Sequence, residues 1–115
     1  MVRNRTRGTK VADNVQLAST ASARRVGLLK HSSLEPGEGL WIPTQAVHTF
    51  GMRFPIDVVF LDRRRHVRRV YHRLRPYRLT RLVWRAASVL ELAAGVALEC
   101  GIETGDELEF TRFGE

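Results

Sequence analysis

Apolar and polar positions alternate over short runs in this chain, the period of strands rather than of long helices. The clearest run is Ile56 to Leu61: Ile56, Val58 and Phe60 fall on one face, and Asp57, Val59 and Leu61 on the other. Both faces are largely apolar, so this strand is expected to be central. Pro55 can open it, because the first residue of a strand need not donate to the ladder. Asp62 to His66 turns the chain into a partner strand, Val67 to His72. There Val67 and Val70 break strict alternation, and Arg68, Arg69 and Arg73 mark a solvent edge. Further strands are predicted over residues 11–18, Leu40 to Ile42 with Pro43 as its stop, Ala87 to Leu92, and Glu107 to Arg112. Glu35-Pro36-Gly37-Glu38-Gly39 signals a turn. Two short helices fit between the strands. One is capped by Ser19 or Thr20 and runs through Leu29; the other spans Ala93 to Cys100 and closes at Gly101. Residues 73–86 follow neither period and are expected to form a loop with a short strand. Residues 1–10 are polar, basic and aperiodic, and are expected to form a flexible arm ahead of one globular domain over residues 11–115.

Composition narrows the class. A chain of 115 residues, 43% of them hydrophobic, can bury one modest core. No apolar run reaches the roughly eighteen residues of a membrane-spanning helix. The basic N-terminus lacks an apolar stretch, so no secretory signal is read there and a cytoplasmic location is expected. Cys100 is the only cysteine, which excludes an internal disulfide and a thiolate metal site built from cysteines alone. The net charge is +7, and Lys10 and Lys30 are the only lysines. A basic balance suits an anionic partner, but scattered arginines are also what an ordinary solvated surface looks like.

Certain residues combine into longer blocks: Arg25-x-Gly27-Leu28-Leu29, Gly39-Leu40-Trp41-Ile42-Pro43, and the string from Val47 through His48-Thr49-Phe50-Gly51-Met52-Arg53-Phe54-Pro55-Ile56-Asp57 to Asp62. Ser88 to Gly95 and Gly101-Ile102-x-x-Gly105-Asp106 follow. Together these resemble the bacterial and archaeal Domain of Unknown Function 192 family, over roughly residues 15–110, and the His48–Asp57 string is the most specific part. The resemblance implies an α+β, β-rich domain: a small half-open mixed β-barrel with two short helices. It implies no agreed enzymatic activity. The family usually carries glycine near position 65, where this chain has Arg65. If that position is left-handed, the arginine costs about 1 kcal/mol, and Arg64 or Arg65 is predicted to have positive φ.

Two acids stand out in apolar strands. Asp57 must find donors if buried: Arg53, His48, the Trp41 indole or backbone N–H groups of the preceding turn. Glu91 lies between Leu90 and Leu92 and shares a face with Val89. Were the two strands neighbours, the acids could line one cavity and divide acid and base roles. His48, Asp57 and Glu91 are suitable ligand types, but no ligand spacing joins them, so no metal and no cofactor is expected. Trp41, Phe50, Met52 and Phe54 could wall an apolar cleft, with His48 and Arg53 as polar handles. The ligand-binding set is therefore Trp41, His48, Phe50, Met52, Arg53, Asp57 and Glu91.

Three functions fit these features. The first is a non-catalytic module that binds a small molecule or a protein in that cleft. The second is a hydrolase-like acid–base enzyme using the same residues, although no nucleophile motif is present. The third is a nucleic-acid-associated protein. It would use Arg63, Arg64, Arg65, Arg68 and Arg69, extended by Arg73, Arg75, Arg78, Arg81 and Arg85, with Tyr71, Tyr77 and Trp84 interleaved.

Overall fold

The computed structural model describes residues 1–18 and 34–111. Its strands are β1 (Val2–Asn4), β2 (Thr9–Ala12), β3 (Asn14–Leu17), β4 (Glu38–Ile42), β5 (Ile56–Leu61), β6 (Val67–Leu74), β7 (Ser88–Ala93) and β8 (Leu108–Phe110), with one short helix, α1 (Val96–Glu99). They form a five-stranded sheet, β3-β4-β7-β5-β6, and a three-stranded sheet, β2-β1-β8. Only β3 and β4 run parallel; the other pairs are antiparallel. The β-rich α+β class is therefore as expected, but among the described residues the strands make two sheets and no closed barrel. The helix predicted to run through Leu29 lies outside the described residues.

Every residue of β5 and of β7 is buried. That is why both read as almost unbroken apolar runs: each face of these strands meets a core. On one face Val59, Leu61, Leu90 and Leu92 pack with Val2, Val11 and Leu108 of the small sheet and with Val96 and Ala97 of α1. On the other, Ile56, Val58, Phe60 and Val89 pack beneath Val47, Met52, Phe54, Val83 and Ala86, which come from two long connections. The faces predicted for β5 are the faces observed.

Residues 1–10 are not an arm. Val2–Asn4 pairs with β2 on one side and β8 on the other, and Val2 and Asn4 are fully buried. The alternation that buries them is only three residues long, and one of its two partner strands lies at the far end of the chain. Local pattern could not carry that signal. Nor do residues 11–18 form one strand: Asp13 separates β2 from β3, and these belong to different sheets.

The β5–β6 hairpin has Arg65 at φ 63°, the positive value expected there. The turn is closed by Asp62, whose Oδ1 accepts from the N–H groups of Arg64 (2.9 Å) and His66 (3.0 Å). The register shifts between Phe60 and Leu61, so that Arg68 is an extra residue on β6. This bulge explains the three-residue spacing of Val67 and Val70 that strict alternation could not. At the end of α1, Gly101 takes φ 71°, its N–H donates to Leu98 O (3.1 Å), and that of Ile102 donates to Ala97 O (2.9 Å). This is the paired closure glycine permits at a helix C-terminus.

Candidate functional site

Asp57 is fully buried and accepts three backbone hydrogen bonds: Oδ1 from Arg73 N (2.8 Å), and Oδ2 from Gly95 N (3.0 Å) and Ala97 N (2.8 Å). The β5–β6 register shift between Ile56 and Val58 places an extra residue opposite Asp57, and Arg73 adopts φ 52° there. That bulge turns the Arg73 N–H inward. A carboxylate held this way needs no cationic partner, because charge-assisted bonds from N–H groups satisfy it. The donors are backbone groups, one of the alternatives expected, but they belong to β6, to Gly95 at the start of α1 and to α1 itself, not to the turn over residues 48–54.

Thr49 holds that turn instead. Its buried hydroxyl donates to Arg75 O (2.6 Å) and accepts from Arg78 N (2.9 Å), while Thr49 N donates to Arg78 O (2.9 Å) and Tyr77 N to Thr49 O (3.0 Å). One turn further on, Thr80 repeats the device: its N–H donates to Val47 O (2.9 Å), and Val47 N donates to its hydroxyl (2.9 Å).

The two acids do lie on neighbouring strands, but not in one cavity. Glu91 stands directly opposite Val58, and Asp57 opposite Leu92. Residues opposite each other in an antiparallel pair share a face, so Asp57 and Glu91 emerge on opposite faces of the sheet. Both are fully buried. The expected cleft separates in the same way. Trp41 packs against the face that faces the small sheet, its Nε1 donating to Ser88 Oγ (2.8 Å) and its ring stacked 4.1 Å from that of Phe110. Met52 and Phe54 are core residues of the other face. His48 is half-buried and stacks on the exposed Phe50 at 5.1 Å, and Arg53 is exposed. Among the described residues no three His, Cys, Asp or Glu side chains gather to hold a metal.

A concave site does form, at the ends of the Trp41–Asp62 stretch. It is a groove of about 1260 Å³ walled by Pro43, Thr44 and Gln45 on one side, by Asp62, Arg63, Arg64, His66 and Arg68 of the hairpin on another, and by Trp84 and Arg85. Arg63, Arg64, Arg68 and Arg85 form no ion pair among the described residues. The Arg85 guanidinium lies over the Trp84 ring at 4.4 Å. The remaining hairpin arginines are occupied elsewhere: Arg65 lies over Trp41 (5.0 Å) and Phe110 (5.6 Å), and Arg69 over Tyr71 (4.5 Å). The arginine run was the local signal for this groove. The bulge at Arg68, which sorts the run between groove and ring contacts, shows in the sequence only as the broken alternation of Val67 and Val70.

Charge is also organised away from the groove. Burial alone would raise the Asp106 carboxyl, yet hydrogen bonds from Arg7 Nε (2.7 Å), Asn4 Nδ2 (2.8 Å) and Glu103 N (3.0 Å) hold it below its ordinary value. The same hydrogen bond raises the Arg7 guanidinium, and Arg7 also pairs with Glu103. Burial, then the nearby Glu99, pushes the Cys100 thiol up, away from the thiolate that a reactive cysteine needs.

A model of the DUF192 family (Uncharacterized ACR) matches residues 2–110. The chain belongs to that family. The match includes β1, in keeping with the buried place of that strand in the fold. A DUF192-like fold recurs in a protein of unknown function from Novosphingobium aromaticivorans, with TM-score 0.82 and 24% identity, covering 95% of this chain and 82% of that one. A protein from Sinorhizobium meliloti described as a "putative transcription regulator" aligns with TM-score 0.76 and 28% identity, covering 94% and 90%. Compared with the curated proteins, this DUF192 chain matches none.

Proposed function

We propose that this DUF192 chain is a non-catalytic binding module that takes an anionic ligand or partner in the groove between Pro43–Gln45 and the β5–β6 hairpin. The observation that carries the reading is the set of four arginines, Arg63, Arg64, Arg68 and Arg85, which line one concavity with no acidic partner among the described residues. Asp62 is the acid in that wall, and its Oδ1 is already turned to the hairpin's own N–H groups. A planar guanidinium gives a forked donor suited to phosphate or carboxylate. The acid–base reading has less to draw on, since Asp57 and Glu91 are buried on opposite faces.

Calorimetric titration with inorganic tripolyphosphate tests the reading. Binding should weaken steeply with salt, and Arg63→Gln/Arg68→Gln should weaken it by about tenfold or more. No heat at low ionic strength would end it. A nucleic-acid version has one further support, the indole of Trp84 beside the arginines, which could stack a base. In that version a single-stranded oligonucleotide displaces tripolyphosphate and quenches emission that is missing in Trp84→Phe.

A further inference from the structure

The connection over residues 75–86 has a period of its own. Thr80, Val83 and Ala86 recur every third residue and are buried. Hydrogen bonds pin them to the facing connection and to each other: Thr80 N to Val47 O (2.9 Å), Val83 N to Gln45 O (2.9 Å), and Ala86 N to Val83 O (3.1 Å). Between and before these anchors, residues point outward in pairs, each of one arginine and one large apolar side chain: Arg78-Leu79, Arg81-Leu82 and Trp84-Arg85. Leu79, Leu82 and Trp84 are 69%, 71% and 73% exposed, and Tyr77 precedes them at 64%. Residues 75–85 contain four arginines and no acid.

Side chains this exposed stand proud of the surface and offer no recess to a partner's side chains. A second copy of the chain would bring the same arginines face to face. The complementary surface is one that is anionic outside and apolar beneath. Arginine stems can lie along such a boundary while their charged heads stay at the surface, and leucine and tryptophan enter below. We propose that residues 77–85 dock on the surface of an anionic lipid bilayer. Among the described residues no helix is long and apolar enough to cross a membrane, and the contact inferred is interfacial. It goes beyond the groove reading and does not depend on it, because its anchors Leu79 and Leu82 lie outside the groove lining.

Co-sedimentation of the full chain with vesicles of equal parts phosphatidylglycerol and phosphatidylcholine tests this. The chain should pellet with these vesicles and not with phosphatidylcholine alone, and its emission should shift to the blue in a way missing from Trp84→Phe. Leu79→Ser/Leu82→Ser keeps every charge and should weaken binding about tenfold or more, as loss of buried apolar area requires. Arg78→Gln/Arg81→Gln should weaken it comparably, since each juxtamembrane charge contributes about 1 kcal/mol, some fivefold, near an anionic surface. Both pairs are exposed, so folding is retained, and tripolyphosphate binding by these variants checks the groove separately. Absence of binding to anionic vesicles overturns the inference. So does unchanged binding by Leu79→Ser/Leu82→Ser, which would mean a diffuse charge effect, and so does capture of an acidic peptide without any vesicle binding.

Discussion

The two faces of the five-stranded sheet are covered by different means. One is closed by regular structure, the small sheet and α1, and its polar anchors are carboxylates: Asp57 reaching the backbone of β6 and α1, and Asp106 reaching Asn4, Arg7 and Glu103. The other is closed by two long connections, and its anchors include hydroxyls: Thr49 and Thr80 stitch residues 47–49 to 75–80. Asp57 and Asp106 thus serve the architecture of the first face, while Glu91 is a buried acid of the second. Many of the arginines remain on the surface of the second and around the groove at its end. The difference teaches that the surplus of positive charge on the surface has a structural origin as well as a compositional one. Several acids are turned inward to backbone N–H groups, which leaves Arg63, Arg64, Arg68 and Arg85 without acidic partners among the described residues.

The first face should fail most severely when its carboxylate is removed. Asp57→Ala leaves the N–H groups of Arg73, Gly95 and Ala97 without their acceptor. Losing these bonds in a buried setting should cost about 3–5 kcal/mol, read as a lower midpoint in urea denaturation. Asp57→Asn keeps the shape and one acceptor oxygen, and should fall between. If Asp57→Ala unfolds within 1 kcal/mol or so of the parent, the acid is not the anchor proposed for that face.

How much of this was legible in the sequence depends on the range of the interaction. Strand β5 matches its predicted limits because alternation and Pro55 are local signals, and the positive φ of Arg65 and the helix stop at Gly101 follow from turn and cap chemistry within a few residues. The partners of Asp57 were not legible, since Gly95 and Ala97 lie 38 and 40 residues away and meet it only once β5 and β7 pair. The same pairing decides that Glu91 faces away from Asp57, a matter of register that composition cannot fix. None of the candidate set lines the groove. Its members do not gather in one cleft, because Trp41 and Met52 lie close in sequence but on opposite faces of the sheet. The role of Thr49 was not legible: a threonine between His48 and Phe50 gives no hint that its hydroxyl will close a turn with residues 75–78.

The second face gives a smaller, sharper contrast. Thr49→Val removes a hydroxyl that both donates to Arg75 O and accepts from Arg78 N, with nearly the same shape. The expected loss is about 2 kcal/mol, less than for Asp57→Ala because a neutral group is removed. Amide exchange should rise at Tyr77 and Arg78, which bond to Thr49, and stay unchanged at Ala97 on the other face. A rise spread evenly over both faces would mean that they are not held independently.

Acid should separate the faces without any substitution. The Asp106 carboxyl lies below its ordinary value of 3.8 when folded, so the unfolded chain binds the proton more readily. By linkage, the stability from this group is fully present above about pH 4, and is lost as pH falls through the lower folded value. Glu103 N donates to that carboxylate, so its exchange protection should drop in this window, with that of Arg7 N, which donates to the neighbouring Asn4 Oδ1. The amides of Thr80 and Val83 donate to backbone carbonyls, which do not titrate, and should keep their protection until the whole chain unfolds. Asp106→Asn removes the titrating group, so its unfolding midpoint should depend less steeply on pH below about 4 than the parent's. Equal acid slopes for parent and variant would show that Asp106 does not supply the acid sensitivity of this face. The distinction between carboxylate and hydroxyl anchoring would then rest on Asp57 and Thr49 alone.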